Sequence, residues 1–192
     1  MSVANLIWVT LLALTAVSAR ADDRTARLER GELIVEVVPR KGQSVALVKV
    51  TTVFAAPAER IWPLLDRCGD YKATMMRVAE AEELSRHGST VRCRVVVEMP
   101  FPFDNITSVT EAKQTVKPGK GYRRRWRQVE GDFRVNSGQW QLTPYGDGQR
   151  TLAVYEVIAA PKLDVPDSIR IAAQKESLPG LFAHIRRQVE AH

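Results

Sequence analysis

The sequence predicts an α+β protein that combines an antiparallel sheet with a long C-terminal helix. Six segments between Val78 and Ala159 alternate apolar with polar residues, and short Gly-containing turns join them, which is the pattern of a strand meander. Apolar residues then recur at spacings of three and four from Leu178 to Val189, which indicates one amphipathic helix. The chain has 192 residues, of which 45% are hydrophobic and 26% charged, and this composition fits one globular domain and excludes disorder.

The N-terminus has the features of an export signal. Residues 6–17 form an apolar run that is too short for a standard membrane-spanning helix but has the length of a signal-peptide core. Ala19-Arg20-Ala21 supplies the small residues of a cleavage site. Because no Lys or Arg precedes the run, a retained membrane anchor and an ordinary buried segment stay open as alternatives. We expect residues 1–21 to be a signal peptide and the mature protein to be periplasmic or secreted.

The mature chain is predicted to consist of an N-terminal extension, residues 22–43, and one folded domain, residues 44–192. A change from period two to helical spacing after Ala55 marks two short helices, and Pro57 suits the first turn of the first of them. The predicted elements before the last helix are the strands Glu32–Val38 and Ser44–Ala55, the helices Ala56–Gly69 and Tyr71–Met76, and the strands Val78–Leu84, Thr90–Met99, Ile106–Thr115, Tyr122–Val129, Phe133–Thr143 and Thr151–Ala159.

The connections and the last helix complete the predicted topology. Short Gly-containing links between the six later strands favour antiparallel neighbours, because parallel strands need longer crossovers. The last helix is predicted to begin near Pro166-Asp167-Ser168. Its Pro179-Gly180 pair predicts a kink or a break, since proline removes a backbone donor and glycine weakens a helix.

Two cysteines, Cys68 and Cys93, are too few for a disulfide-dense scaffold or a Cys-rich zinc module. In an oxidising compartment they are a candidate disulfide, which would close a loop of about 25 residues. Two unpaired buried thiols are the alternative.

Several motifs carry a resemblance to a known family. The stretch from Val53 to Asp66, which contains Ala56-Pro57-Ala58-Glu59 and Leu64-Leu65, is followed by Tyr71. Further along the chain are Met99-Pro100-Phe101-Pro102-Phe103, then Glu130-Gly131-Asp132-Phe133 and Gly138-Gln139-Trp140-Gln141-Leu142. In this order the motifs resemble those of the START-like, polyketide cyclase/dehydrase (SRPBCC) superfamily, and among its members an exported form of the coenzyme Q-binding group. Met76 lacks the proline that follows in the family, and Cys68 replaces an aromatic or polar residue.

The resemblance implies a helix-grip fold, in which a curved antiparallel sheet of about six to seven strands wraps around the C-terminal helix and two short helices follow the first strand. It also implies an apolar cavity between sheet and helix that binds or transports a lipid, a quinone or a polyketide-like molecule without catalysis. A cyclase or dehydratase that acts on such a ligand is the alternative, and a filled core in an envelope interaction module is another. No cofactor, metal site or catalytic set is expected.

Strand alternation and this resemblance together select the residues of the expected cavity. Val91, Cys93, Val95, Val97 and Met99 share one face of their strand, while Arg92, Arg94 and Glu98 take the other. The expected lining residues are Phe54, Val95, Val97, Met99, Trp126, Trp140, Leu142, Tyr155, Val157, Leu178, Leu181, Phe182 and Ile185. The expected mouth residues are Tyr71, Met75, Met76, Phe101 and Phe103.

The polar candidates for chemistry are few. Strand alternation puts Glu98 and Glu156 on the outer face, where carboxylates are solvated, and no acid–base pair emerges. The hydroxyls of Tyr122 and Tyr155 are candidates to orient the polar head of a ligand.

The chain is basic, with a formal net charge of +6, and this charge is densest around the fourth strand of the meander. Cations near an anionic leaflet favour peripheral membrane contact, whereas export argues against nucleic acid as a partner. A solvated outer strand face, with Arg124 over a cavity edge, is the alternative. The expected membrane-contact residues are Lys117, Lys120, Arg123, Arg125 and Arg127.

Overall fold

The computed structural model describes residues 22–163 and 167–190, with the backbone alone at 167–176 and at 190. The predicted signal peptide and the predicted helix start at Pro166 lie outside the described residues.

An eight-stranded antiparallel sheet forms the body of the protein, with the strand order β1-β2-β8-β7-β6-β5-β4-β3. The strands are β1 (Ile34–Val38), β2 (Leu47–Phe54), β3 (Val78–His87), β4 (Thr90–Val97), β5 (Ile106–Lys117), β6 (Gly121–Gly131), β7 (Phe133–Tyr145) and β8 (Arg150–Pro161). The helices are α1 (residues 22–29), α2 (Ala58–Asp66), α3 (Tyr71–Thr74) and α4 (Asp167–Glu190), and a 3₁₀ turn (Cys68–Asp70) joins α2 to α3.

The α+β class and the six-stranded meander β3–β8 agree with the sequence, but two details of the predicted architecture are wrong. The sheet has eight strands instead of six to seven, and the short helices follow the second strand instead of the first. Both differences arise from β1, which lies in the segment predicted as an extension. It pairs with β2 over five residues, for example Val35 with Val50, and so joins the same sheet.

The sequence predicts a kink or a break at Pro179-Gly180, and the break is wrong, because α4 runs without interruption from Asp167 to Glu190. Proline removes a backbone donor and crowds the carbonyl one turn before it, but the segment after Pro179 is held by Phe182 and Ile185, whose side chains are fully buried. Tertiary packing therefore outweighs the local helix-breaking tendency.

The main core lies between the inner face of the sheet and the helices α2 and α4. Side chains alternate along each strand, so every second residue of β2, β7 and β8 points toward the helices. The largest fully buried members are Phe54, Phe182, Ile61, Leu65, Leu142, Ile185 and Val50. A smaller cluster of Leu28, Ile34 and Val53 packs α1 against the opposite, outer face of the sheet.

A disulfide between Cys68 and Cys93 joins the 3₁₀ turn to β4, with 6.2 Å between the two Cα atoms. Both residues are buried together with Val91, and the half-buried ring of Tyr71 packs against them. The bridge therefore ties the α2–α3 connection to the inner face of the sheet.

Among the described residues, no helix has the combination of length and apolar character that crossing a bilayer requires.

The disulfide is expected to contribute substantially to stability. Because it closes a loop of 25 residues, the double variant Cys68→Ala/Cys93→Ala should lose about 3 to 4 kcal/mol of unfolding free energy in the chain-entropy model. Urea denaturation under oxidising conditions measures this loss. A reductant should lower the midpoint of the wild type and leave that of the double variant unchanged. Equal wild-type midpoints with and without reductant would contradict the prediction.

Candidate ligand-binding cavity

A cavity of about 170 Å³ lies between the inner face of the sheet and the helices α3 and α4. Residues from β4 to β8 reach it because strand alternation brings every second side chain of these strands to the inner face. Its lining residues are Tyr71, Met75, Val95, Val97, Ser108, Thr110, Arg124, Trp126, Asn136, Trp140, Tyr155 and Leu181.

Aromatic rings form one wall of the cavity. Tyr155 lies between two indoles, with ring centroids 4.5 Å from that of Trp140 and 5.9 Å from that of Trp126. Gly138 pairs with Trp126 across β6 and β7, and a methyl group at Gly138 would lie 2.5 Å from Cζ2 of this indole. The absence of a side chain at Gly138 therefore lets the Trp126 ring lie flat against the sheet.

A hydrogen-bonded network of neutral polar groups occupies a second part of the wall. The indole Nε1 of Trp126 donates to Oδ1 of Asn136 at 3.1 Å, and Nδ2 of Asn136 donates to the Ser108 hydroxyl at 3.0 Å. That hydroxyl donates in turn to Gln128, again at 3.0 Å. These groups satisfy one another and fix the position of the Trp126 ring.

Arg124 is the charged residue of the lining, and only 3% of it is exposed. Its guanidinium donates to the backbone carbonyl of Asp66 at 3.4 Å and to Sγ of Cys93 at 3.2 Å. It also lies 5.9 Å from the centroid of the Tyr71 ring. Within the described residues, no carboxylate forms an ion pair with Arg124.

Arg86 forms ion pairs with both carboxylates in this region, those of Asp66 and Glu83. Its guanidinium contacts Asp66 at 3.0 Å and Glu83 at 2.7 Å. The hydrogen bonds from Arg86 lower the pKa of the Glu83 carboxyl, an effect that partial desolvation opposes. The Asp66 carboxylate also accepts from the side-chain amide of Gln114. Both acids are therefore already bound by donors other than Arg124.

Two tyrosine hydroxyls near the cavity are neutral at physiological pH. Burial raises the pKa of Tyr155 and also that of Tyr71. The Tyr71 hydroxyl donates to the Leu65 carbonyl at 2.6 Å. Among the described residues, neither the Tyr155 hydroxyl nor the Thr110 hydroxyl has a hydrogen-bond partner, so these two are available to a ligand.

Helix α4 also contacts α3 and the residues that follow it, where Leu181 and Met75 line the cavity. Met76 packs on Gly180, where an added methyl group would lie only 2.8 Å from its sulfur. Nε2 of His184 lies 3.2 Å from the Ala73 carbonyl oxygen. These contacts hold α4 against this segment of the chain.

The structure divides the expected cavity residues into two groups. Val95, Val97, Trp126, Trp140, Tyr155 and Leu181 line the cavity, as do the expected mouth residues Tyr71 and Met75. Six others are part of the packed core and do not reach the cavity: Phe54, Leu142, Val157, Leu178, Phe182 and Ile185.

The remaining expected residues lie in the β4–β5 loop and beside it. Met99 and Phe103 are half-buried outside the lining, whereas 98% of Phe101 and 40% of Met76 are exposed. The loop therefore presents an isolated aromatic side chain to solvent at the end of the sheet where β4 ends and β5 begins.

Sequence reasoning leaves three lining residues unnamed, Ser108, Thr110 and Asn136, and it places Arg124 over a cavity edge only in the alternative to membrane contact. Strand parity is a signal for Arg124, because it lies between Tyr122 and Trp126 at alternate positions of one strand. The other three are polar, and polar residues are not expected in an apolar lining.

The expected membrane-contact residues belong to a different part of the surface from the exposed Phe101. Lys117 and Lys120 flank the β5–β6 turn, at the end of β5 opposite to the β4–β5 loop. Arg123 and Arg125 donate to glutamines of β7, and Arg127 forms an ion pair of 2.9 Å with Glu111.

The carboxylates considered for catalysis lie outside the cavity. Glu156 accepts a hydrogen bond of 2.7 Å from Gln139, its partner across β7 and β8, and Glu98 is exposed. The described residues contain no group of three or more His, Cys, Asp or Glu side chains placed to hold a metal ion.

A large antiparallel sheet packed on a long C-terminal helix, with a cavity between them, defines the START-like, helix-grip class of proteins. The chain belongs to the family described as polyketide cyclase / dehydrase and lipid transport, whose model matches residues 54–184. The chain matches no curated protein.

Solved structures share this fold at low sequence identity. A STAR-related lipid transfer protein from Xanthomonas axonopodis is 17% identical, with a TM-score of 0.71 over 82% of this chain and 93% of that one. Human StAR-related lipid transfer protein 5 is 12% identical, with a TM-score of 0.67 over 92% and 96% of the two chains. The ZhuI aromatase/cyclase from Streptomyces sp. R1128 is 18% identical, with a TM-score of 0.57 over 76% and 91%.

Gly138 is expected to be necessary for the shape of the aromatic wall. In Gly138→Ala the new methyl group would collide with the backbone carbonyl oxygen of Glu156 and with the Trp126 ring, so the unfolding free energy should fall by about 1 to 3 kcal/mol and the tryptophan emission should change. Gly69→Ala is the matched control, because its methyl group meets nothing nearer than 3.9 Å. Denaturation monitored by fluorescence compares the two variants, and identical behaviour would contradict the role of Gly138.

Proposed function

We propose that this protein binds a hydrophobic small molecule, such as a lipid, a quinone or a polyketide-like compound, and carries it without chemical change. The observation that supports this proposal is the cavity between the sheet and α4, in a chain whose family description includes lipid transport. Its lining of aromatic and aliphatic side chains with a few polar groups is typical of small-molecule sites.

The solved structures of the same fold support both a carrier and an enzyme. The Xanthomonas axonopodis protein and human StAR-related lipid transfer protein 5 are described as lipid transfer proteins, and ZhuI as an aromatase/cyclase. Enolisation of a polyketide needs a general base in reach of the ligand. Among the described residues that line the cavity there is no Asp, Glu or His, which favours the carrier.

The volume of the cavity limits how much of a ligand it can enclose. A volume of about 170 Å³ is close to that of engineered protein cavities that hold a single benzene ring, and ligand sites usually exceed about 300 Å³. A ring-sized portion of the ligand therefore fits the cavity as it stands. A longer ligand would need lining side chains such as Met75 and Leu181 to move.

We further propose that the protein acts outside the cytoplasm, after removal of residues 1–21, and that its ligands include quinones. The disulfide between Cys68 and Cys93 is consistent with an oxidising compartment, because the cytosol keeps most thiols reduced. Mass analysis of the protein from a periplasmic fraction tests this location, since the expected mature N-terminus is Asp22. An intact Met1 in that fraction, or a protein confined to the cytosol, would contradict it.

The binding function can be tested with a neutral apolar probe of one ring, toluene, whose binding is measured by ligand-observed NMR. The wild type should bind it, and Leu181→Trp should weaken binding at least about tenfold because the larger side chain fills the cavity. Leu84→Trp is the matched control, because Leu84 is 44% exposed on β3. If the wild type fails to bind the probe, or if both variants bind like the wild type, the proposed site is wrong.

A further inference from the structure

We propose that the cavity selects ligands with an acidic head group, and that Arg124 binds this group directly. The inference rests on the proposed function, because it specifies the ligand of the same cavity. Arg124 is the charged residue of the lining and is almost fully buried. A buried cation at the wall of a binding cavity favours an anion as its partner.

The contacts of the guanidinium leave this role open. It donates to one backbone carbonyl and to a disulfide sulfur, both of which are uncharged acceptors. Because sulfur is a weak acceptor, a hydrogen bond from Arg124 to a carboxylate would be stronger than its bond to Cys93. Charge-assisted, bidentate hydrogen bonds with carboxylates are the strongest that a guanidinium forms.

Charge balance explains how Arg124 is tolerated without a ligand. Asp66 and Glu83 match Arg86 and Arg124 in number, but their hydrogen bonds go to Arg86 instead of Arg124. The group of four is therefore neutral, while one of its two cations lacks a direct anionic contact within the described residues.

The neighbours of Arg124 suit an acidic head group. The Tyr155 and Thr110 hydroxyls line the same cavity and are free of partners among the described residues. Because burial keeps Tyr155 protonated, its hydroxyl can donate to an anion. The wall beyond them is formed by Trp126, Trp140 and Val95, which suit an apolar ring or chain.

The inference can be tested with two ligands of equal shape, 3-phenylpropanoate and 3-phenylpropanamide, measured by isothermal titration calorimetry at pH 7. Each carries one ring that fits the cavity and one carbonyl, and they differ in charge. The wild type should bind the acid roughly ten- to hundredfold more tightly than the amide. This comparison needs no variant.

Variants then assign the preference to Arg124. In Arg124→Met the affinity for the acid should fall to that for the amide, whereas Arg124→Lys should keep part of the preference because the charge is kept. Arg92→Met is the matched control, because Arg92 is exposed on the outer face of β4. It should leave both affinities unchanged.

The outcomes separate this inference from the proposed function. Three outcomes would overturn the proposed role of Arg124. They are equal affinities of the acid and the amide in the wild type, no binding of either ligand, and an equal loss of both affinities in Arg124→Met. Hydrophobic binding would stand in these cases if toluene still binds. Failure of the wild type to bind that neutral probe would overturn the proposed function itself.

Discussion

The packing of Phe182 against the sheet is the contact on which the rest of the structure depends. This ring is fully buried and meets aromatic side chains from three strands: its centroid lies 6.0 Å from that of Phe54, 5.3 Å from that of Trp140 and 6.2 Å from that of Tyr155. The contact fixes the distance between α4 and the inner face. Beyond Phe182, toward β4 and β5, the sheet carries smaller residues such as Val95 and Ser108, and these leave the space that forms the cavity. The cavity thus lies where the large side chains around Phe182 are followed by the smaller ones of β4 and β5.

The polar side of the cavity depends on a different set of contacts. The disulfide holds the α2–α3 connection against β4, and this places both the Asp66 carbonyl and a cysteine sulfur beside Arg124. Arg86 meanwhile forms ion pairs with the nearby acids, Asp66 and Glu83. A buried guanidinium is costly unless hydrogen-bonded, so the covalent bridge and the ion pairs together keep it in place. Stability and ligand recognition therefore share the same few residues.

Much of the fold could be predicted from the sequence, because strand alternation and turn glycines are local signals. Alternation in β4 and β7 puts Val95, Val97 and Trp140 on the inner face, where they line the cavity. For Arg124 the sequence leaves two positions open, a membrane-facing strand surface around it and a cavity edge, because parity and charge point in opposite directions. The division between core and cavity could not be predicted, because Leu142 and Trp140 are both apolar residues on the same face of β7, and only the three-dimensional packing leaves Trp140 beside the cavity. The continuity of α4 through Pro179 likewise depends on tertiary packing.

The two sides of α4 are held by contacts of different kinds. Toward the sheet it is held by the fully buried ring of Phe182, whereas on the side of α3 its Gly180 meets the sulfur of Met76 and its His184 lies beside the Ala73 carbonyl. A side chain at position 180 would collide with Met76, so the absence of one sets how closely α4 approaches this segment. The residue that weakens the helix locally is therefore also the residue that lets it pack, and helix propensity alone counts only the first of these effects.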